Sequence, residues 1–284
     1  MSRLGFKALA YLGDSTTDSG ELYRLTSIAI GIGLPVSPPY AKQFSNGPVY
    51  ADQVPDLLGV EGGRDLNFAV GGAQVIPNET VVERFLGSKT NEILTDLSWG
   101  KRREALETTM DLEGQVGRLL DATESMDRSE IGVSIFAGLN DILALYNRVG
   151  LDEAMQQMDS FVATLTQAMF EDVKMLFDNG IGTVILNLLP PGGIFPHIQG
   201  EGADVASFGD ILSEKINTSF RSFADALPDD HDLRIVDMGL IFDEVRDDLS
   251  TYAFQTATEP LYDGIGSALI PMRHAGSWDI PRIR

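Results

Sequence analysis

Short, wholly apolar runs alternate along the chain with longer stretches in which apolar residues recur every three or four positions, the pattern of parallel strands joined by helices. Runs at 7–13, 66–70, 132–137, 183–188 and 233–236 predict five strands. The clearest helix is expected over residues 151–179, where Ala154, Met158, Phe161, Val162, Leu165, Met169, Val173 and Leu176 make one apolar stripe; Gly180 stands where a left-handed cap is wanted. A second stripe, Leu212, Ile216, Phe220, Phe223 and Leu227, is closed by Pro228, and a short helix is expected over 240–246. These stripes are core, and Met155, Met158 and Met169 read as packing filler. No repeat or Pro/Gly/Ser linker divides the chain, so residues 1–284 are expected to form a single α/β domain, three-layer α/β/α with about five parallel strands. Residues 83–103, polar and aperiodic around Trp99, read as an insertion, and residues 250–284 as an atypical tail.

Composition narrows the partners. The 42 acidic residues against 21 Lys and Arg leave a net charge of −21, which repels phosphate backbones and anionic membranes; nucleic acid is excluded as an expected partner. The absence of cysteine removes disulfides, thiolate catalysis and Cys-based metal sites. No apolar run approaches the length of a spanning helix, so no stable membrane insertion is expected, and residues 1–12 read as the first strand rather than a signal segment.

Open α/β sheets place ligands beyond the carboxyl ends of their strands. The first strand ends in Gly13-Asp14-Ser15-Thr16-Thr17-Asp18-Ser19-Gly20, the second in Asn67-Phe68-Ala69-Val70-Gly71-Gly72-Ala73 and the third in Gly138-Leu139-Asn140-Asp141. Each alone also reads as a turn or helix cap. Together they bring a hydroxyl, a glycine N–H and a side-chain amide to one sheet edge. Those are the components of acyl transfer: a serine that attacks, and donors that meet the developing oxyanion. Ser15 is the expected nucleophile, and the N–H groups of Ser15 and Gly72 with the amide of Asn140 the expected oxyanion hole.

These three stretches, in this order and spacing, resemble the blocks of the SGNH or GDSL hydrolases, with Thr16 where that family usually has leucine. The likeness is nearest to the larger lipase and esterase branch that includes phospholipases, lecithinases and haemolysins. Phe44-Ser45-Asn46-Gly47-Pro48-Val49-Tyr50, Leu186-Asn187-Leu188-Leu189-Pro190-Pro191, and Val236-Asp237 with the Tyr252–Pro260 segment support it. The resemblance implies a flavodoxin-like fold and a serine esterase or lipase that cleaves small-molecule or lipid carboxylic esters through an acyl-enzyme, with no metal or organic cofactor.

The family's final block, Asp-x-x-His, is not present. Asp263-Gly264-Ile265-Gly266 has glycine in the histidine position and Asp279-Ile280-Pro281-Arg282 has arginine, which stays protonated and cannot act as a base. Of the three histidines, His231 precedes the fifth strand, His197 follows Pro190-Pro191-Gly192-Gly193, and His274 lies near Asp263 and Asp279. His274, oriented by Asp263 or Asp279, ranks first as the base. The alternative from another class is a degenerate binding protein that keeps the scaffold without turnover. A nucleotide-binding protein is disfavoured, since Gly31-Ile32-Gly33 lacks the third glycine and no lysine-bearing phosphate loop occurs.

Overall fold

The computed structural model describes residues 4–38, 40–77, 80, 104–105 and 107–251, with the backbone alone at Pro196 and His197. In chain order the elements are β1 (Ala8–Gly13), α1 (Glu21–Ile30), α2 (Tyr50–Leu58), β2 (Glu61–Asn67), α3 (Leu112–Ala122), β3 (Ile131–Phe136), α4 (Leu139–Val149), α5 (Leu151–Asp178), β4 (Thr183–Leu188), α6 (Pro196–Gly200), α7 (Ala203–Ala226), β5 (Asp232–Asp237) and α8 (Met238–Asp247). The five strands form one parallel sheet in the order β2-β1-β3-β4-β5, with helices on both faces: a three-layer α/β/α fold of the flavodoxin type.

Strands β1 and β3 are buried along their whole length, which explains their unbroken apolar runs; a parallel strand covered on both faces has no polar side to alternate with. Alternate residues of β1 serve different layers. Ala8, Ala10 and Leu12 join a core with α3, α5 and α7, whereas Leu9 and Tyr11 pack with Val49 and Ala51 at α2. Helix α5 buries the stripe read from the sequence except Phe161, which is half-buried, while Met155, expected as packing filler, is 52% exposed; α7 buries Leu212, Ile216 and Phe220. Phe223 stacks on Phe170 with ring centroids 3.9 Å apart, locking α7 to α5.

The second strand differs from the sequence expectation. It runs over Glu61–Asn67, not 66–70, and is the edge strand paired to β1. Its exposed, glycine-containing sequence carries no apolar signal. Ala69 and Val70 supplied that signal and are fully buried, but they lie beyond the strand, in the loop. The expected insertion at 83–103 lies outside the described residues, as does the tail from 252 onward. Among the described residues no helix is long and apolar enough to cross a membrane.

Candidate active site

Strand β1 lies between β2 and β3, and the chain leaves it to one side for β2 and then crosses to the other side for β3. The loops after these three neighbouring strands therefore converge above β1, at the point where connections diverge, which is where open α/β sheets place their ligands. All three stretches singled out in the sequence are in these loops.

The first loop is held rigidly at its base. Gly13 lies so close to β3 that a side-chain Cβ there would sit 2.3 Å from Phe136 O. Its N–H donates to Gln115 Oε1 at 2.7 Å, and Gln115 Nε2 donates back to Gly13 O at 2.9 Å and to Met110 O at 3.1 Å. Gln115 is fully buried on α3, clamping the peptide two residues before Ser15 from a position remote in sequence. Beyond it the chain turns, with Thr17 and Asp18 N–H both donating to Asp14 O. Thr16, at the family's leucine position, donates through N–H and hydroxyl to Asp14 Oδ1 at 3.0 and 2.8 Å.

Asp18 ties this loop to the next. Its carboxylate accepts the N–H groups of Gly20, Glu21 and Leu22 at the start of α1, and that of Gly71 at 2.8 Å. Asn67 makes the same join from the other side, its amide donating to Thr17 O and Ser19 Oγ, both at 2.7 Å. Asp141, in the first turn of α4, accepts Val75 and Ile76 N–H at 2.9 Å, fastening the second loop to the third. Burial pushes the Asp14 and Asp18 carboxyls up to about 6 and Asp141 up to about 7, against the pull of the N–H groups they accept.

Within this frame the candidate residues come together. Ser15 is 2% exposed, and its Oγ has no hydrogen-bond partner among the described residues. The N–H groups of Ser15 and Gly72 likewise have no acceptor among the described residues. Gly72 has φ +83°, a conformation that costs an L-residue about 1–2 kcal/mol. Asn140 Nδ2 donates to Ala73 O at 2.9 Å and, more weakly, to Asp14 Oδ2 at 3.4 Å. The amide thus sits between the immediate neighbours of Gly72 and of Ser15. A buried hydroxyl left unpaired costs about 1–3 kcal/mol, and Ser15 Oγ shares this state with Tyr11 Oη and Ser213 Oγ among the described residues.

A family model described as GDSL-like Lipase/Acylhydrolase matches residues 9–279. The chain belongs to this GDSL-like lipase/acylhydrolase family. Compared with curated protein sequences, it matches none. The match spans all three loops of this GDSL-like chain and the tail up to Asp279.

The histidines divide differently. His231 precedes β5 at the amino edge of the sheet, edge-on to Phe177 at 4.6 Å between centroids, with Nδ1 3.1 Å from Asp230 Oδ1. His197 is in α6, on the carboxyl side of β4. His274, Asp263 and Asp279 lie outside the described residues.

Sequence reading did not single out Gln115, although a signal was there. Leu112, Val116 and Leu119 form the buried face of α3, and Gln115 occupies that same face, a polar residue in a core register. Asp18, Asn67 and Asp141 were legible as parts of motifs but not as the staples between loops.

Proposed function

We propose that this GDSL-family chain is a serine ester hydrolase with Ser15 as its nucleophile. A base takes the Ser15 hydroxyl proton as Oγ bonds to the ester carbonyl carbon. The oxyanion accepts from Ser15 N–H, Gly72 N–H and Asn140 Nδ2, which exchanges its long bond to Asp14 for it. The carbon–oxygen bond to the leaving group breaks, and the proton passes to the departing alcohol. Water then attacks the acyl-enzyme along the reverse path.

The observation that carries this reading is the cluster of unused groups: a buried hydroxyl without a partner among the described residues, beside two backbone N–H groups without acceptors among them, with an amide anchored between. The base is assigned to His274, oriented by Asp263 or Asp279. The substrate is a small-molecule or lipid carboxylic ester, and the route needs no metal or organic cofactor.

A fluorophosphonate probe tests the nucleophile and its accessibility together. Labelling that is lost in Ser15→Ala is the expected result; labelling that persists in that variant excludes Ser15. His274→Ala is expected to lower ester turnover at least about a hundredfold, because the hydroxyl is then without a base. The second reading, a binding protein on the same scaffold, is favoured by Gly266 and Arg282 in the histidine position of the family's final block. It predicts no labelling and no hydrolysis at any acyl length.

A further inference from the structure

The turn that bears Ser15 carries a row of hydroxyls whose hydrogens can run in one direction only. Thr16 has a single hydroxyl hydrogen and donates it to Asp14 Oδ1 at 2.8 Å, so toward Thr17 its oxygen can only accept. Thr17 Oγ1 lies 3.5 Å from Thr16 Oγ1 and 3.1 Å from Tyr50 Oη. Thr17 therefore donates to Thr16 and accepts from Tyr50. Three hydrogens point the same way, from the first residue of α2 through the nucleophile turn to the Asp14 carboxylate, and hydroxyls so aligned polarise one another. The row is held from both sides. Tyr50 stands edge-on to Tyr11 of β1 with ring centroids 5.7 Å apart. Thr17 is fully buried over Gly13, where a Cβ would come within 3.1 Å of its Oγ1.

The other oxygen of Asp14 faces the amide expected to meet the oxyanion. Asn140 Nδ2 has two hydrogens, one donated to Ala73 O at 2.9 Å and one directed at Asp14 Oδ2 at 3.4 Å. During hydrolysis the second hydrogen must leave Asp14 for the oxyanion, so the carboxylate competes with the reacting group for it. Donors gathered at Oδ1 draw charge to that oxygen and make Oδ2 the weaker competitor; the Thr16 hydroxyl does this beside its own N–H at 3.0 Å. Leucine, usual in this position of the family, has no hydroxyl to donate. Threonine here joins Tyr50 and Thr17 to Asp14.

We propose that Thr16 is a positioning residue for the hydrolysis: its hydroxyl, backed by Thr17 and Tyr50, holds the Asp14 charge on Oδ1 and so releases the Asn140 amide to the oxyanion. This rests on the hydrolase reading for its reaction, but the hold on Asp14 is tested apart from it.

The first readout is a double-mutant cycle in kcat on p-nitrophenyl acetate at about pH 8. Thr16→Val keeps the shape and the N–H, and is expected to lower kcat about tenfold with KM within about twofold, one hydrogen bond to a charged group being lost. Thr16→Ser is expected to recover the native rate to within about threefold. Tyr50→Phe, which removes the far end of the row, is expected to lower kcat about fourfold, and it takes the place of Thr16→Val in the cycle if that variant does not fold. In a chain that already carries Asn140→Ala, either change is expected to have less than about a twofold effect, because the amide it releases is gone. A merely structural role predicts the same loss in both backgrounds. The second readout needs no catalysis: carbon-13 NMR titration of the Asp14 carboxyl in the Ser15→Ala chain, its signal identified by loss in Asp14→Asn. Thr16→Val is expected to raise the midpoint by about one pH unit, since the donor removed favours the charged form. The ionisable groups that act on Asp14 are Asp18 in the same turn, Asp141 on α4 and Tyr50 on α2, and Thr16→Val leaves all three in place. A folded Thr16→Val chain with kcat within about twofold of native, an equal loss in both backgrounds, or an unmoved midpoint overturns the proposal. If no ester is cleaved by any form, the hydrolase reading fails, and the titration alone decides whether Thr16 holds Asp14.

Discussion

Asp172 offers a quantitative test of the fold beneath the site. It lies on the buried face of α5 at 3% exposure, and no hydrogen bond reaches its carboxyl among the described residues. Burial pushes it up to about 8, with Glu113 and Asp111 beside α3 and Glu171 on α5 adding like charge. The native state therefore holds this proton more tightly than the unfolded chain, whose ordinary value is 3.8. The contribution to stability is fully present below that value and is lost as pH rises toward about 8, the native state binding more protons than the unfolded state across the window. Between pH 5 and pH 8 the loss from this one group approaches about 4 kcal/mol, at about 1.4 kcal/mol per pH unit. That is a large share of the roughly 5–15 kcal/mol that holds a typical domain together.

Asp172→Asn keeps the shape and abolishes the titration. Whatever the amide costs through its own unmet hydrogen bonds, it costs equally at every pH. The expected result is a stability difference, variant minus native, that grows by several kcal/mol from pH 5 to pH 8 and then levels off. Urea unfolding followed by circular dichroism at closely spaced pH values measures it. Two curves that run parallel across that window would refute the assignment of a buried, protonated carboxyl at this position.

Asn140→Ala is expected to lower kcat about 10²–10³-fold with little change in KM, since an oxyanion donor acts only once charge develops; steady-state kinetics on a soluble ester checks the split. Gln115→Leu leaves the Gly13 N–H without its acceptor, while Gly13 O keeps the Val70 N–H, which predicts a loss of about 1–3 kcal/mol in urea unfolding and, with the turn before Ser15 loosened, slower fluorophosphonate labelling. Gly72→Ala is expected to cost about 1–2 kcal/mol from its positive φ, seen as a lowered Tm together with reduced kcat. His231→Ala, at the opposite edge of the sheet, is expected to leave ester turnover within about twofold of the native rate; a loss like that expected for His274→Ala would reassign the base.

Much of this architecture was legible because it rests on periodicity. The 28-residue α5 and the long α7 declare themselves through apolar stripes, and β1 and β3 through burial on both faces. What periodicity reports, however, is burial and not pairing. That is why β2 was displaced: the edge strand is polar and only partly covered, while Ala69 and Val70 are buried just beyond it, where the N–H groups of Phe68 and Val70 still donate to Tyr11 O and Gly13 O of β1. The loops bearing Ser15, Gly72 and Asn140 were legible as spaced motifs. The ties among them were not, because Gln115 with Gly13, Asp18 with Gly71 and Asp141 with Val75 join residues distant along the chain, and a single sequence carries no record of distance in space.

The adjacency of β2, β1 and β3 has a consequence for how such a chain can change. Parallel strands sit about 4.8 Å apart, so the backbone itself acts as a ruler that spaces the loops bearing Ser15, Gly72 and Asn140. Evolution of a new preference is thereby pushed outward, onto the walls that receive the rest of the molecule. Two chains of this architecture that differ in what they cleave should superimpose above β1 and diverge away from it.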